Sequence, residues 1–190
     1  MQTHYFEIKA IPHEELPQSA VTSLALQDLH SVLTDFDGKV GLSFPDYKKQ
    51  IMTLGGRIRC FASFETLEGI KLKLLGKGIN DYAIISNIHE IPKQVPRYFT
   101  YSRVQNKGTS DLKRIKKAMQ RRGKSEAEIQ KVLELRIQKL KPVTLPHAHI
   151  NSASTGQRFL LMINRKPAPM KSEGLFSSYG LSPTSTVPDF

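Results

Sequence analysis

Six histidines and a short run of hydroxyl side chains are the groups in this chain best suited to chemistry near neutral pH. His30 lies one position past Leu29 on a stretch of helical apolar spacing, with Leu26 four residues before it and Leu33 three after. It is either a boundary histidine with no chemical task or a general acid or base. His147 and His149 share one face if their segment is extended. The residues that follow, Asn151, Ser152, Ser154 and Thr155, supply no carboxylate, so the ligand set is too small for a metal. The segment Asn151-Ser152-Ala153-Ser154-Thr155-Gly156-Gln157-Arg158-Phe159 is dense in small donors. It suits phosphate or ribose hydroxyls, or else a capped, solvated turn. Phe159 is open between core packing and a stacking platform for a base. His4, His13 and His89 belong to no evident constellation.

No glycine-rich phosphate loop is present; Leu54-Gly55-Gly56 reads as a turn. Neither an HExxH pattern nor a carboxylate pair of the two-metal kind occurs. Chemistry in this chain is therefore expected to work without a metal or other cofactor. RNA is the substrate that permits it. Its 2′-hydroxyl lies beside the scissile phosphate, a histidine can remove that proton, and a nearby hydroxyl can orient the ribose. DNA lacks the attacking group.

These side chains need a scaffold. Tyr5 to Ala10 alternates and predicts a strand, broken by Pro12 and Pro17. Residues 19–36 have helical spacing, with Val21, Leu24, Ala25, Leu29, Val32 and Phe36 on one face. Short strands are expected at Val40–Phe44, Arg57–Phe61 and Tyr82–Ile88. A helix is expected over 64–75, with Leu67, Ile70, Leu74 and Leu75 facing inward. The order strand, helix, strand or two, helix, strand suits a small α+β sandwich of the ferredoxin type.

Pro92 and Pro96 mark a boundary, which gives domains 1–95 and 96–190. Beyond it, Thr100–Gln105 is extended and a helix starts near Asp111, with Leu112, Ile115, Ala118 and Met119 as its apolar stripe. Ser125 and Glu128 form a capping box for a second helix, packed through Ile129, Val132, Leu133, Ile137 and Leu140. Strands follow at Val143–Leu145 and Arg158–Asn164. The last 26 residues, rich in Pro, Ser and Gly, read as irregular chain carrying one motif, Ser177-Ser178-Tyr179-Gly180-Leu181-Ser182.

Charge is concentrated rather than spread. Of a formal net +11, residues 103–141 carry +9, from 13 basic and 4 acidic side chains, whereas residues 1–102 balance 11 against 11. Such a block is the footprint of a polyanion-binding surface. One cysteine excludes an intrachain disulfide and any Cys-rich zinc module. The apolar runs, Tyr82–Ile85 and Phe159–Ile163, fall far short of the roughly 18 residues of a membrane helix. The opening residues lack a signal-peptide pattern, so a cytoplasmic protein without membrane association is expected.

Six pieces, in this order and spacing, carry a resemblance. They are Leu29-His30, Gly41-Leu42-Ser43-Phe44-Pro45, Ser102-Arg103-Val104-Gln105, the basic helix of about 111–122, Ser152 to Phe159, and Tyr179-Gly180-Leu181-Ser182. Together they resemble the CRISPR precursor-RNA endoribonucleases of subtype I-F nearly end to end. The resemblance implies an N-terminal ferredoxin-like domain and a C-terminal lobe whose basic helix enters the major groove of a repeat hairpin. It also implies metal-independent cleavage at the 3′ base of the stem, leaving a 2′,3′-cyclic phosphate and a 5′-hydroxyl. The implied partners are the CRISPR repeat hairpin RNA, the mature guide RNA and other subunits of a type I-F surveillance complex.

Carried over by position, the resemblance makes His30 the catalytic base and Ser152 the hydroxyl that holds the attacking ribose. Tyr179 stands beside the active site and orients the histidine. Ser154, Thr155 and Gln157 belong to the serine-rich loop 151–157 and contact sugar or phosphate. Phe159 stacks on the lowest base pair, and Arg103 and Gln105 read base edges in the lower stem. Lys107, Lys113, Lys116, Lys117 and Gln120 complete the RNA-binding set with Arg114, Arg121 and Arg122. Lysines at 113, 116 and 117 stand where the family is rich in arginine. They neutralise phosphate but lack the planar fork, so guanine-edge readout falls to the three arginines. The runner-up reading is a non-catalytic hairpin-binding subunit of a ribonucleoprotein. A basic DNA-binding or ribosome-associated protein explains the charge but gives the histidine, serine loop and tyrosine motif no task.

Overall fold

The computed structural model describes residues 1–105, 109–139, 144–152 and 156–190. The chain packs as two compact units, one of Met1–Val104 with Leu145–Phe190 and the other of Gln105–Thr144. It is an α+β fold with two separate β-sheets.

The first sheet is built from β1 (His4–Ala10), β2 (Gly41–Ser43), β3 (Arg57–Ala62), β4 (Ala83–Ile85) and the two-residue β5 (His89–Glu90). Its order is β2-β3-β1-β4, with β5 also on β1 and every pairing antiparallel. Helices α1 (Gln18–Leu33) and α2 (Phe64–Leu75) contact each other and both pack on β1 and β3. The alternation of β1 explains this: Phe6, Ile8 and Ala10 are buried while Lys9 is exposed. α2 occupies the expected residues because Ser63 caps it, its hydroxyl accepting from the Thr66 amide at 3.4 Å. Leu67, Ile70 and Leu74 are buried; Leu75, expected inside, is 42% exposed. α1 stops three residues short of Phe36. Thr34–Phe36 tightens into a 3-10 turn, and Asp37 and Gly38 then adopt left-handed backbone at φ 49° and 72°. Leu24, also expected inside, lies 48% exposed.

β3 is buried on both faces. Arg59 is 6% exposed, donates to Glu7 across the ladder at 2.7 Å and lies over the Tyr5 and Phe190 rings. Pairing and aromatic cover make this buried guanidinium tolerable. Cys60 is fully buried, and desolvation pushes its thiol far above the usual range, so it is an inert core residue.

The second sheet contains β6 (Arg97–Val104), β7 (His147–Asn151), β8 (Arg158–Ala168) and β9 (Ser182–Asp189), ordered β7-β8-β6-β9. All strands of the first sheet precede Pro92, and all strands of the second follow Pro96. Two expectations change here. Val143 lies outside the described residues, and Thr144 and Leu145 form no strand; the strand begins at His147. Its polar alternation, with Ala148 and Ile150 buried between the histidines, disguises it as loop. The tail is also more regular than its composition suggests. Residues 182–189 form an eight-residue strand on β6, with Ser185, Thr186 and Val187 buried. β9 is an edge strand, the place in a sheet where prolines such as Pro183 and Pro188 are tolerated.

Glycine at 41 lets the sheets approach. A Cβ there would lie 2.6 Å from Val187 Cγ1 and 2.7 Å from Phe176 Cζ. At the other edge, α1 covers β7. Ser23 Oγ accepts from the His149 amide at 3.1 Å and Gln27 Oε1 from the Asn151 amide at 2.6 Å, satisfying outward-facing strand groups.

The second unit is a pair of contacting helices, α3 (Thr109–Arg121) and α4 (Glu126–Lys139). A Schellman end stops α3: the Lys124 amide donates to Met119 O at 3.2 Å and the Gly123 amide to Gln120 O at 3.0 Å, with Gly123 at φ 68°. The Ser125/Glu128 capping box then forms reciprocally, at 3.0 Å and 3.3 Å. Leu112, Ile115 and Met119 are half-buried and Ile129 is buried. Ala118, Val132 and Ile137, expected to pack, are exposed; Leu140 lies outside the described residues. Among the described residues no helix is long and apolar enough to cross a membrane.

Candidate active site

α1 carries Leu29 and Val32 into the core, which leaves the intervening His30 half-buried at the helix boundary. Its Nδ1 lies 3.0 Å from the Ser178 carbonyl oxygen. A carbonyl only accepts, so Nδ1 is the donor, and in the neutral ring the lone pair falls on Nε2. That is the tautomer a general base needs. The ring stacks on Tyr179, with centroids 3.8 Å apart and planes 12° from parallel.

The turn that presents Ser178 and Tyr179 is tightly specified. The Gly180 amide donates to Ser177 O at 2.8 Å, Ser177 N to Leu181 O at 2.8 Å, and the Leu42 amide to Gly180 O at 2.8 Å. Gly180 holds φ 66°, and a Cβ there would lie 2.3 Å from Leu42 Cγ. Gly180→Ala is therefore expected to lose about 1–3 kcal/mol of stability from backbone strain alone, read as a lowered Tm. An unchanged Tm would show that the turn is not anchored in this way.

Phe159 meets Tyr179 edge-on, at 6.5 Å and 88°. The Arg103 guanidinium lies over both rings, 5.0 Å from Phe159 and 5.5 Å from Tyr179. His30, Tyr179, Phe159 and Arg103, taken from α1, the 177–181 turn, β8 and β6, thus form one continuous stack. Arg103 is exposed and Phe159 half-buried, so a planar group can reach the cluster.

Ser152 follows the end of β7 and is half-buried. Its amide donates to Gln157 O at 2.9 Å and its carbonyl accepts from the Gly156 amide at 2.8 Å, closing the loop. The strand end is clamped to α1: Gln27 accepts from the Asn151 amide and returns a bond from Nε2 to Asn151 O at 3.2 Å. Gln27 precedes His30 by three residues, on the same side of the helix. The clamp thereby holds the chain entering Ser152 beside the turn of α1 that leads to His30. Ser154 and Thr155 lie outside the described residues, as does Lys107. Gln157 is exposed at the loop's return, and Gln105 is exposed immediately after β6.

In the helical unit, Lys113, Arg114, Lys117, Gln120, Arg121 and Arg122 are exposed along and just beyond α3. Lys116, on the same helix, is half-buried and paired with Glu126 at 2.8 Å. His147 and His149 share a face with ring centroids 5.7 Å apart. Burial first, then the charges of Arg158 and His147, hold His149 below the ordinary imidazole range. His147 Nδ1 donates to Leu145 O at 3.0 Å. No group of three His, Cys, Asp or Glu able to hold a metal occurs among the described residues.

Sequence reasoning missed three positioning groups: the Gln27 side chain, the Asn151 backbone and the Ser178 carbonyl. The first two meet across 124 residues as side chain to backbone, which leaves no periodic trace. Ser178 lay inside the tyrosine motif, but its role is that of a carbonyl, which any residue type supplies.

The family described as CRISPR-associated protein (Cas_Csy4) matches residues 5–190. A CRISPR-associated endonuclease Cas6/Csy4 of Pseudomonas aeruginosa (strain UCBPP-PA14) is 32% identical over 189 residues, spanning 98% of this chain and 99% of that protein. A CRISPR-associated endonuclease Cas6/Csy4 of Escherichia coli (strain UTI89 / UPEC) is 32% identical over 191 residues, with the same two shares. The chain belongs to the CRISPR-associated Csy4 family.

Proposed function

We propose that this Csy4-family nuclease is a metal-independent endoribonuclease that cuts CRISPR repeat hairpins at the 3′ base of the stem and retains the upstream product as guide RNA. The observation that carries the reading is the state of His30. Its Nδ1 faces the Ser178 carbonyl at 3.0 Å and its ring is held against Tyr179, which in the neutral ring assigns the lone pair to Nε2.

In this mechanism Nε2 takes the 2′-hydroxyl proton as O2′ attacks the adjacent phosphorus. The P–O5′ bond breaks, the upstream strand ends in a 2′,3′-cyclic phosphate, and the departing oxygen takes a proton from solvent to become the 5′-hydroxyl. Ser152 holds the ribose so that nucleophile and leaving group are in line, a contribution of proximity rather than of acid–base chemistry. Phe159 stacks on the lowest base pair, and Arg103 and Gln105 read base edges above it. The cations of α3 hold the stem, Lys113 and Lys117 on phosphates and Arg114, Arg121 and Arg122 at base edges or phosphates. The strand–helix–strand–strand–helix–strand order and the β2-β3-β1-β4 sheet support a ferredoxin-like domain over residues 1–95. Residues 96–190 then form the RNA-recognition lobe. Stem contacts survive a cut made beneath the stem, so product release is slow and the chain passes with its RNA into a type I-F surveillance complex.

The test is incubation of end-labelled cognate hairpin with the protein in EDTA, resolved on a denaturing gel. Cleavage at the stem base supports the proposal; intact, tightly bound RNA would make the chain a binding subunit instead. Phe159→Ala should weaken hairpin affinity by the equivalent of about 1–3 kcal/mol, the usual worth of an aromatic platform under a base. A filter-binding titration with no change in Kd would remove Phe159 from the interface.

A further inference from the structure

Along α1 lies a concavity that the mechanism above does not use. It is a cleft of about 690 Å³ along α1 from Pro17 to Gln27, closed opposite by the turn at residues 51–54 and by the outer face of β7. Gln27 and Asn151, the clamp beside Ser152, form its near end. Asn151 thus puts one end of the cleft next in the chain to Ser152.

Its lining fits single-stranded nucleic acid. On β7 the buried Ala148 and Ile150 face inward, so His147, His149 and Asn151 face the cleft, and Arg158 joins them as the ladder partner of Asn151. Phe159, the next residue, faces the other way, into the Tyr179 stack. Three apolar side chains are left at the surface here: Leu24 at 48%, Ile51 at 67% and Met52 at 45% exposure. Met52 is held at φ 51°, left-handed backbone that a side-chain-bearing residue rarely keeps without cause. The same turn carries exposed Lys48 and Lys49. None of the described lining residues is acidic. Arg158 and the two imidazoles can meet phosphates, while Leu24, Ile51 and Met52 offer apolar surface to base faces.

We propose that this cleft seats the unpaired nucleotides immediately 3′ of the scissile phosphate. The inference rests on the proposed function: with the stem ending on Phe159 and the reacting ribose at His30 and Ser152, the strand continues past the Asn151–Gln27 clamp into the cleft. It also accounts for unequal product retention. After cleavage the downstream piece is held by the cleft alone and leaves, while the upstream piece keeps its stem contacts.

The experiment uses the full chain and a hairpin made uncleavable by a 2′-deoxy nucleotide at the cut, with and without four downstream nucleotides. The flank should tighten binding about five-fold or more. Arg158→Ala should abolish most of that gain, lower the salt slope of the flanked RNA by about 0.7, and leave the flankless hairpin's Kd unchanged. A 4-thiouridine two nucleotides past the cut should crosslink to residues 51–54 or 147–149. A flank that adds less than two-fold, an Arg158→Ala loss equal for both RNAs, or crosslinks outside the cleft would overturn the proposal and leave the groove to a protein partner. If the flankless hairpin itself fails to bind, the functional reading falls and this inference with it.

Discussion

His30→Ala is expected to lower the single-turnover cleavage rate of the cognate hairpin about 10²- to 10⁴-fold, the range over which a positioned acid–base group acts. The Kd for the hairpin should stay within a few-fold, because the phosphate and stacking contacts lie on other side chains. The imidazole is only half-buried and its neighbours Leu29 and Val32 carry the packing, so the fold should persist. Losing the stack on Tyr179 costs some order in the 177–181 turn, whose hydrogen bonds to Leu42 and Leu181 are unaffected by the substitution. Single-turnover kinetics beside a binding titration separate the two effects. A rate within five-fold of the parent would remove His30 from the chemistry. A parallel collapse of affinity and Tm would make it a structural residue.

The second large effect lies in the substrate. Replacing the ribose 5′ to the cut with 2′-deoxyribose removes the nucleophile itself, so no remaining feature of the enzyme can supply the reaction. Cleavage should become undetectable while binding stays at the level of the unmodified hairpin. This test asks a different question from the histidine variant. A water-activating histidine would also be sensitive to His30→Ala, yet it would still cut the deoxy RNA. Undiminished cleavage of that RNA would exclude internal attack and with it the role given to Ser152.

Much of the scaffold was legible because local signals agreed with one another. Ser63 caps α2 where the apolar spacing starts, Ser125 and Glu128 open α4, and Gly123 closes α3. Elements failed to show where tertiary partners overrode composition. β9 contains two prolines and little apolar surface, and it is a strand because β6 offers an unpaired edge. β7 carries its apolar residues between histidines, and the side chains of α1 complete its edge. Leu24 and Leu75 fit helical faces but extend past the width that the sheet covers, so both are exposed.

The candidate site divides in the same way. His30, Tyr179, Phe159 and Arg103 could be nominated by residue type and resemblance, but periodicity could not foretell that they form one stack. Contacts made through backbone atoms, such as the Ser178 carbonyl on His30 and the Asn151 amide on Gln27, leave almost no mark on residue identity. The basic helix was plain from charge density, although the Lys116–Glu126 pair across to α4 was not.

Internal attack by a 2′-hydroxyl leaves its signature on both product ends, so analysing those ends after cleavage of the cognate hairpin in excess EDTA tests the central claim most directly. The account predicts an upstream fragment resistant to phosphatase until acid opens its cyclic phosphate, and a downstream fragment that a polynucleotide kinase labels without prior dephosphorylation. A downstream 5′-phosphate, or cleavage that appears only when a divalent cation is restored, would contradict it.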